Sequence, residues 1–278
     1  MSVLVFTLII LIGSYFAGLL GSLTGLGGGV VIIPLLTLLL HVDIHYAIGA
    51  SLVSVIATSS GSAAAYVKEG ITNMRLGMFL EIATTAGAMC GAILALHIPT
   101  NYIAILFGVI LVFSALISLQ KKAEHITHHK SYLAKKLKLN SSYPTPNGVV
   151  DYTVTRVGGG FFMMLFAGVI SGLLGIGSGA LKVIAMDSIM RIPFKVSTTT
   201  SNFMIGVTAS ASAVVYLQRG YISPGVSMPV VIGVLLGALT GSKILVRSTS
   251  SGWLRWVFAA VVTFLAAQMI YHGITGKI

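Results

Sequence analysis

Two glycine-rich interruptions carry the chemistry that this sequence offers. Gly25-Leu26-Gly27-Gly28-Gly29 and Gly175-Ile176-Gly177-Ser178-Gly179 each break an apolar run. A glycine costs a helix about 1 kcal/mol relative to alanine, so three or four together predict a local break. From Val30 and from Ala180 the helical pattern resumes. Each break therefore sets a helix N-terminus inside an apolar stretch, with free N–H donors and about half a positive charge. Two such ends can converge on one small anion. A single motif of this kind would be read as close helix packing through small residues. Its duplication in equivalent positions of two halves is what points to a transport site.

Other polar residues fall near these breaks. Lys182 follows the second motif by three residues, and its equivalent in the first half is Ile32. A lysine at membrane depth costs roughly 3 kcal/mol, so it reads as a counter-charge for an anion; the alternative is a lysine snorkelling to an interface. Ser51, Thr200, Ser201 and Asn202 can replace the hydration shell of an oxyanion by hydrogen bonding. The remaining hydroxyls of segments 46–66 and 196–217 read as helix-packing groups. Asp187 stands four residues from Arg191, a spacing that favours an interfacial ion pair. Glu81 lies near one end of its segment and reads as an interfacial carboxylate. Both acids are the candidates for a coupling proton if transport requires one. Catalysis is not expected, since no apolar segment holds a His-x-Glu, paired Asp or Ser/His constellation. His125, His128 and His129 lack the partners of a metal site, and no metal or cofactor is implied.

The elements that must position these residues are membrane helices. The chain has 278 residues, of which 8% are charged and 56% hydrophobic, with a mean hydropathy of +0.98. A soluble domain carries about 25% charged residues. Residues 1–42, 44–67, 82–120, 157–181, 196–218, 220–242 and 256–276 contain no Asp, Glu, Lys or Arg. A membrane helix needs about 20 apolar residues, so each stretch can hold one. This excludes a soluble enzyme and a single-anchor protein. A β-barrel is excluded because the segments are continuously apolar rather than alternating. Apolar segments lie near 3–20, 26–40, 46–66, 76–96, 101–119, 158–174, 177–190, 196–217, 226–246 and 254–274. Segments 26–40 and 177–190 are short for full spans and are open to a re-entrant reading. The N-terminus lacks the basic region of a signal peptide, and its apolar run reads as the first membrane segment. Cys90 is the only cysteine, so no intramolecular disulfide forms.

The net charge of +11 would suit nucleic acid, but its placement argues otherwise. Residues 121–156 hold Lys121, Lys122, Lys130, Lys135, Lys136, Lys138 and Arg156 against Glu124 and Asp151. This is the composition of a cytoplasmic loop. The chain thus divides into a first membrane repeat (1–120), a basic cytoplasmic linker (121–157) and a second repeat (158–278). The halves correspond at a constant offset of 150 residues: Phe16-Ala17-Gly18 recurs as Phe166-Ala167-Gly168, Ser51 as Ser201, and Gly87-Ala88 as Gly237-Ala238. An odd number of crossings per half inverts the second repeat. Counting outward from the linker then puts Lys68, Arg75, Arg191, Lys195, Arg247 and Arg255 inside, and only Arg219 and Lys277 outside. The expected architecture is an all-α polytopic membrane protein of two inverted repeats, each of about five segments, with Gly-broken or re-entrant helices near the midplane.

The GLGGG and GIGSG motifs, followed by Ala50-Ser51-Leu52 and Thr200-Ser201-Asn202, resemble the TauE/SafE family from Phe16 to about Tyr271. This is the family of sulfite exporters, also called the toluene sulfonate uptake permease family. The resemblance implies a multi-pass plasma-membrane transporter of sulfite, sulfonates or related organosulfur anions. Ser178, standing where the first half has Gly28, is a departure that adds a hydroxyl to one break. The expected function is export of such an anion by alternating access, with the lipid bilayer as its other partner. An anion channel, or an importer of another small anion, is the alternative on the same fold.

Overall fold

The protein was analysed as a computed structural model, which describes residues 3–24, 28–68, 70–119, 131–145, 148–247 and 252–276. The first half contains α1 (Val3–Thr24), α2 (Gly29–Pro34), a π-helical turn (Leu35–Leu39), α3 (Ile44–Lys68), α4 (Met74–Ala95) and α5 (Thr100–Leu119). The linker contributes α6 (Tyr132–Lys136), β1 (Ser141–Thr145) and β2 (Gly148–Tyr152). The second half contains α7 (Val157–Leu174), α8 (Gly179–Ile184), a π-helical turn (Ala185–Ile189), α9 (Phe194–Gln218), α10 (Pro224–Arg247) and α11 (Gly252–Thr275). Among the described residues α1, α3, α4, α7 and α9 are long and apolar enough to cross a membrane. Helices α5, α10 and α11 have 20, 24 and 24 residues. The protein is thus an all-α multi-pass membrane protein.

The element boundaries of the two halves recur at the offset read from the sequence. Thr24 and Leu174 end equivalent helices, Gly29 and Gly179 begin equivalent ones, and both π turns coincide. Even backbone irregularities repeat. His41 and Arg191 are equivalent, and both are left-handed, at φ 51° and 55°. Val42 N–H bonds to the Leu36 carbonyl, as Ile192 N–H does to that of Met186.

The segments of uncertain length are short. Gly29–Leu39 rises about 16 Å at 1.5 Å per residue, half of a hydrocarbon core about 30 Å thick. This half-helix folds back along α1: Gly28 lies beside Gly18, and Leu35 beside Gly13. In the second half Ile189 and Met190 lie beside Gly159 and Gly160 of α7. In each half the half-helix thus folds back on the helix before it, and Gly28 and residues 175–179 are buried.

The halves interlock through bare backbone. Helix α1 packs on α10 and α4 on α7, while α3 meets α9 and α5 meets α11. A Cβ on Gly168 would stand 2.2 Å from the Thr84 carbonyl oxygen, and one on Gly18 2.3 Å from that of Val234, the equivalent residue. Gly87 on Leu165 and Gly237 on Tyr15 repeat the arrangement, at 2.2 and 2.0 Å. In lipid, where tails are as apolar as side chains, such close approach supplies the dispersion contact that holds helices together.

The linker differs from the simple polar loop expected of it. Beyond residues 121–130, which lie outside the described set with His125, His128 and His129, it folds as a helix and a two-stranded hairpin. Ser141 pairs with Tyr152, and Tyr143 with Val150. Tyr143, Tyr152, Leu139 and Val154 bury themselves against Met186, Met190, Ile192 and Leu76. Asn73, which caps α4 by accepting from Leu76 N–H, donates through Nδ2 to the Leu139 carbonyl and the Tyr152 hydroxyl, each at 2.8 Å. Thr155 donates to the Met190 carbonyl from both N–H and Oγ1. At the opposite end His45 approaches the Ala95 carbonyl at 3.2 Å and stacks on Tyr221 at 4.9 Å.

Two outcomes are expected. Gly168→Leu should collapse the α4–α7 crossing, with overpacking costing about 1–3 kcal/mol or more. Gly61→Ala, with nothing within 4 Å of the added atom, should leave stability unchanged or raise it. Thermal melting in detergent, followed by size-exclusion chromatography, compares the two. Burial pushes the Tyr152 phenol up to about 12. The folded state therefore holds that proton more tightly than the unfolded chain, whose phenol titrates near 10. The stability of the linker cap, formed by α6 and the β1–β2 hairpin, should be flat below about pH 10 and fall between about 10 and 12. Tyr152→Phe should remove that alkaline slope.

Candidate functional site

The two breaks meet inside the protein. Gly29, first residue of α2, is buried, and a Cβ there would stand 2.6 Å from Ser51 Oγ and 3.5 Å from the Gly175 carbonyl oxygen. Ser51, from α3, donates to that carbonyl at 2.9 Å. Its equivalent Ser201, from α9, donates to the Gly179 carbonyl at 3.2 Å. Both serines are at most 1% exposed. The Ser51 hydroxyl hydrogen is thus committed to a carbonyl at the end of α7 that the broken helix can no longer satisfy, which would be costly unpaired in low dielectric. Ser201, by contrast, adds a second donor to a carbonyl at the start of α8. Gly28 and Gly29 sit at this crossing, while Gly25 and Gly27 lie outside the described residues.

The second break is held in an uncommon backbone shape. Gly175, Gly177 and Ser178 have φ of 67°, 69° and 44°. Serine in the left-handed region costs about 1–2 kcal/mol. The equivalent Gly28 is right-handed, at φ −68°. Ser178 is 3% exposed, and among the described residues its Oγ has no hydrogen-bond partner. It faces a small pocket lined by Val30, Ser114, Ile176, Gly179 and Leu181, among others. Gly177 and Gly179 leave room for Ile205, which a Cβ would meet at 2.8 and 2.7 Å.

The other sequence-derived residues distribute unevenly. Lys182, one turn beyond the break, is fully buried and excludes the snorkelling alternative for this conformation. Its Nζ donates to Thr208 Oγ1 at 2.5 Å, and Thr208 Oγ1 lies 2.6 Å from Glu81 Oε1, as its donor. Glu81 is only 7% exposed, seven residues into α4, with Thr85 donating to the same oxygen at 3.2 Å. Glu81 is thus enclosed by the protein, with α4 extending about two turns beyond it to Met74. Asp187 is 6% exposed within its π-helical turn. Thr200 is turned toward the linker, where its Oγ1 accepts from Asn73 N–H at 3.1 Å. Asn202 contributes its carbonyl, which accepts from Ser59 at 2.5 Å, and its side chain is half-buried. Among the described residues no cluster of three or more His, Cys, Asp or Glu could hold a metal. Thr208 was absent from the sequence-derived set. Its place one α9 stripe from Ser201, seven residues on, is the signal that could have raised it.

Residues 10–269 match the family described as Sulfite exporter TauE/SafE. The chain is 29% identical over 278 residues to the probable membrane transporter protein YunE of Bacillus subtilis (strain 168), covering 97% of this chain and 98% of that one. It is 28% identical over 236 residues to the probable membrane transporter protein YdhB of the same organism, covering 85% and 89%. It is 24% identical over 256 residues to the probable membrane transporter protein MJ0441 of Methanocaldococcus jannaschii, covering 87% and 86%. No solved structure matches it. The chain belongs to the TauE/SafE family and is a multi-pass membrane transporter of that family.

Ser51→Ala orphans the Gly175 carbonyl. It should cost about 1–3 kcal/mol, read as a lower melting temperature in detergent, whereas Ser60→Ala, at an exposed serine bonded within its own helix, should change little.

Proposed function

We propose that this TauE/SafE-family chain is a plasma-membrane secondary transporter that exports a small sulfur oxyanion, sulfite or an organosulfonate, by alternating access. The observation that carries this reading is the meeting of two buried helix breaks, one from each half, at Gly29, Ser51 and Gly175. The anion would sit among Gly28, Gly29, Ser51, Gly175, Gly177, Ser178, Gly179 and Ser201. In that site Ser178 Oγ is the uncommitted donor, and Lys182 supplies charge when it swings back from Thr208.

Inverted repeats would suit this mechanism. With each α1–α2 pair acting as a re-entrant hairpin, α3, α4 and α5 make three crossings, an odd number, and the second half enters upside down. The linker end carries Arg75, Arg191 and Lys195 close to the residues that hold the cap, and the opposite end carries Arg219 beside Tyr221. That asymmetry supports a cytoplasmic linker. Export of a monoanion needs no coupling ion in principle, because about 100 mV inside-negative contributes about 2.3 kcal/mol per charge. Import would need coupling, for which Glu81 and Asp187 are the buried carboxylates.

Flux of labelled sulfite and methanesulfonate into proteoliposomes, with and without an imposed potential, tests this. Saturable flux is expected, voltage-sensitive where the anion crosses alone and electroneutral where a proton accompanies it. Ser178→Gly keeps the backbone shape and removes the hydroxyl, so it should raise the half-saturating concentration several-fold while melting no lower than the parent. Absence of saturable flux for any sulfur oxyanion overturns the substrate assignment. Non-saturating flux at channel-like rates favours the channel alternative.

A further inference from the structure

The three buried groups away from the breaks form a chain with one loose end. Lys182 Nζ reaches Thr208 Oγ1, and Thr208 reaches Glu81 Oε1. Glu81 Oε2 is buried and has no hydrogen-bond partner among the described residues. An ionised carboxylate with a bare buried oxygen is stable only while a cation stands close enough to offset its desolvation. Here that cation is Lys182, acting through one hydroxyl. Helix α7 adds no ionisable side chain between Val157 and Leu174. Helix α9 carries Lys195 at its start and Tyr216 near its end, followed by Arg219; the turn after α8 carries Asp187; and α4 itself carries Arg75 in its first turn. Tyr143 and Tyr152 of the linker cover the start of α4, and His45 faces its far end.

We infer that Glu81 is a proton-binding site thermodynamically tied to anion binding, with Lys182 as the group that the two share. The inference rests on the anion site proposed above. Lys182 lies one helical turn from Ser178, with its N–H on the Ser178 carbonyl. An anion at the break draws the ammonium away from Thr208. Glu81 then has no cation, and Oε2 takes a proton from water, turning the carboxylate into a neutral acid. When the anion leaves, Lys182 returns and the proton is released. One positive charge thus serves two anionic partners in turn, and a proton travels with each anion. The stripe of α4 that starts at Glu81 runs toward a cleft near the far end of that helix. Glu81, Thr85, Met89 and Ile93 follow at four-residue spacing along α4, and Met89 and Ile93 line a cleft of about 450 Å³ with Leu96, Ala211, Val215 and Arg219.

The test uses parent and Glu81→Gln protein in proteoliposomes loaded with a pH-sensitive dye, with outward or inward anion gradients. Methanesulfonate is the first probe, because its charge does not change near neutral pH; sulfite, which carries its own proton, is the second. The parent should move protons in the same direction as methanesulfonate, and an imposed pH gradient should drive the anion uphill. Glu81→Gln should move the anion without the proton, and with sulfite should lose Glu81's share of the proton movement. Equal proton movement in parent and Glu81→Gln, or parent anion flux with none of it beyond sulfite's own, overturns the inference and leaves the anion assignment standing. Absence of any anion flux in the parent sinks both. If Glu81→Gln does not fold, Thr208→Val against Thr208→Ser decides: the serine should retain the coupling and the valine lose it, and equal coupling in both overturns the bridge.

Discussion

A helix broken inside a bilayer has no water to complete its hydrogen bonds. Everything distinctive in this fold answers that constraint. The breaks at Gly28 and Gly175–Gly179 free backbone groups in the interior, and the protein meets the demand with side chains of the neighbouring long helices. Ser51 serves the Gly175 carbonyl, and Ser201 adds a donor to that of Gly179. The first of these bonds crosses from one half to the other. The groups left free after that settlement, Ser178 Oγ above all, are the ones that can turn toward a ligand.

The same crossing of halves governs the packing around the breaks. Each hairpin helix lies on the fourth helix of the other half, with glycine against carbonyl at Gly18, Gly87, Gly168 and Gly237. Neither half can therefore move as an isolated body. The units that could slide are composite: a hairpin together with its partner from the opposite repeat. On the linker side the motion is restrained by Asn73, Thr155 and the tyrosine hairpin, which join the starts of α4 and α9 to the end of the π turn after α8. The cap thus ties these helix ends together, while the cleft between α4 and α9 lies toward their other ends.

Much of this was legible in the sequence, for physical reasons. Runs without charge mark bilayer helices regardless of partner, and an ungapped repeat transfers each boundary from one half to the other, so the limits at Gly29 and Gly179 could be read directly. The hairpin geometry could not, because a run of 11 apolar residues fits either direction of travel. The Lys182–Thr208–Glu81 chain was hidden more deeply. Its charged ends stand far apart in sequence, and its middle is a threonine on a helix full of hydroxyls, most of which bond to their own backbone. Which direction a lysine side chain takes depends on rotamer and neighbours, not on spacing. The β-hairpin lay inside a segment whose lysines dominated its composition, although Asn147-Gly148 between Tyr143 and Val150 is a recognised turn signature.

The opposite backbone hands of Gly28 and Ser178 have a further consequence. If the two repeats exchange roles in alternating access, as proposed above, they exchange shapes as well, the first break becoming left-handed as the second relaxes. Glycine at 28 makes that change without cost. Serine at 178 gains about 1–2 kcal/mol on leaving the left-handed region. Two end states related in that way would be unequal in energy before any substrate binds, by roughly 5- to 30-fold in population. A single departure from internal symmetry would thereby give the empty carrier a preferred side from which to begin.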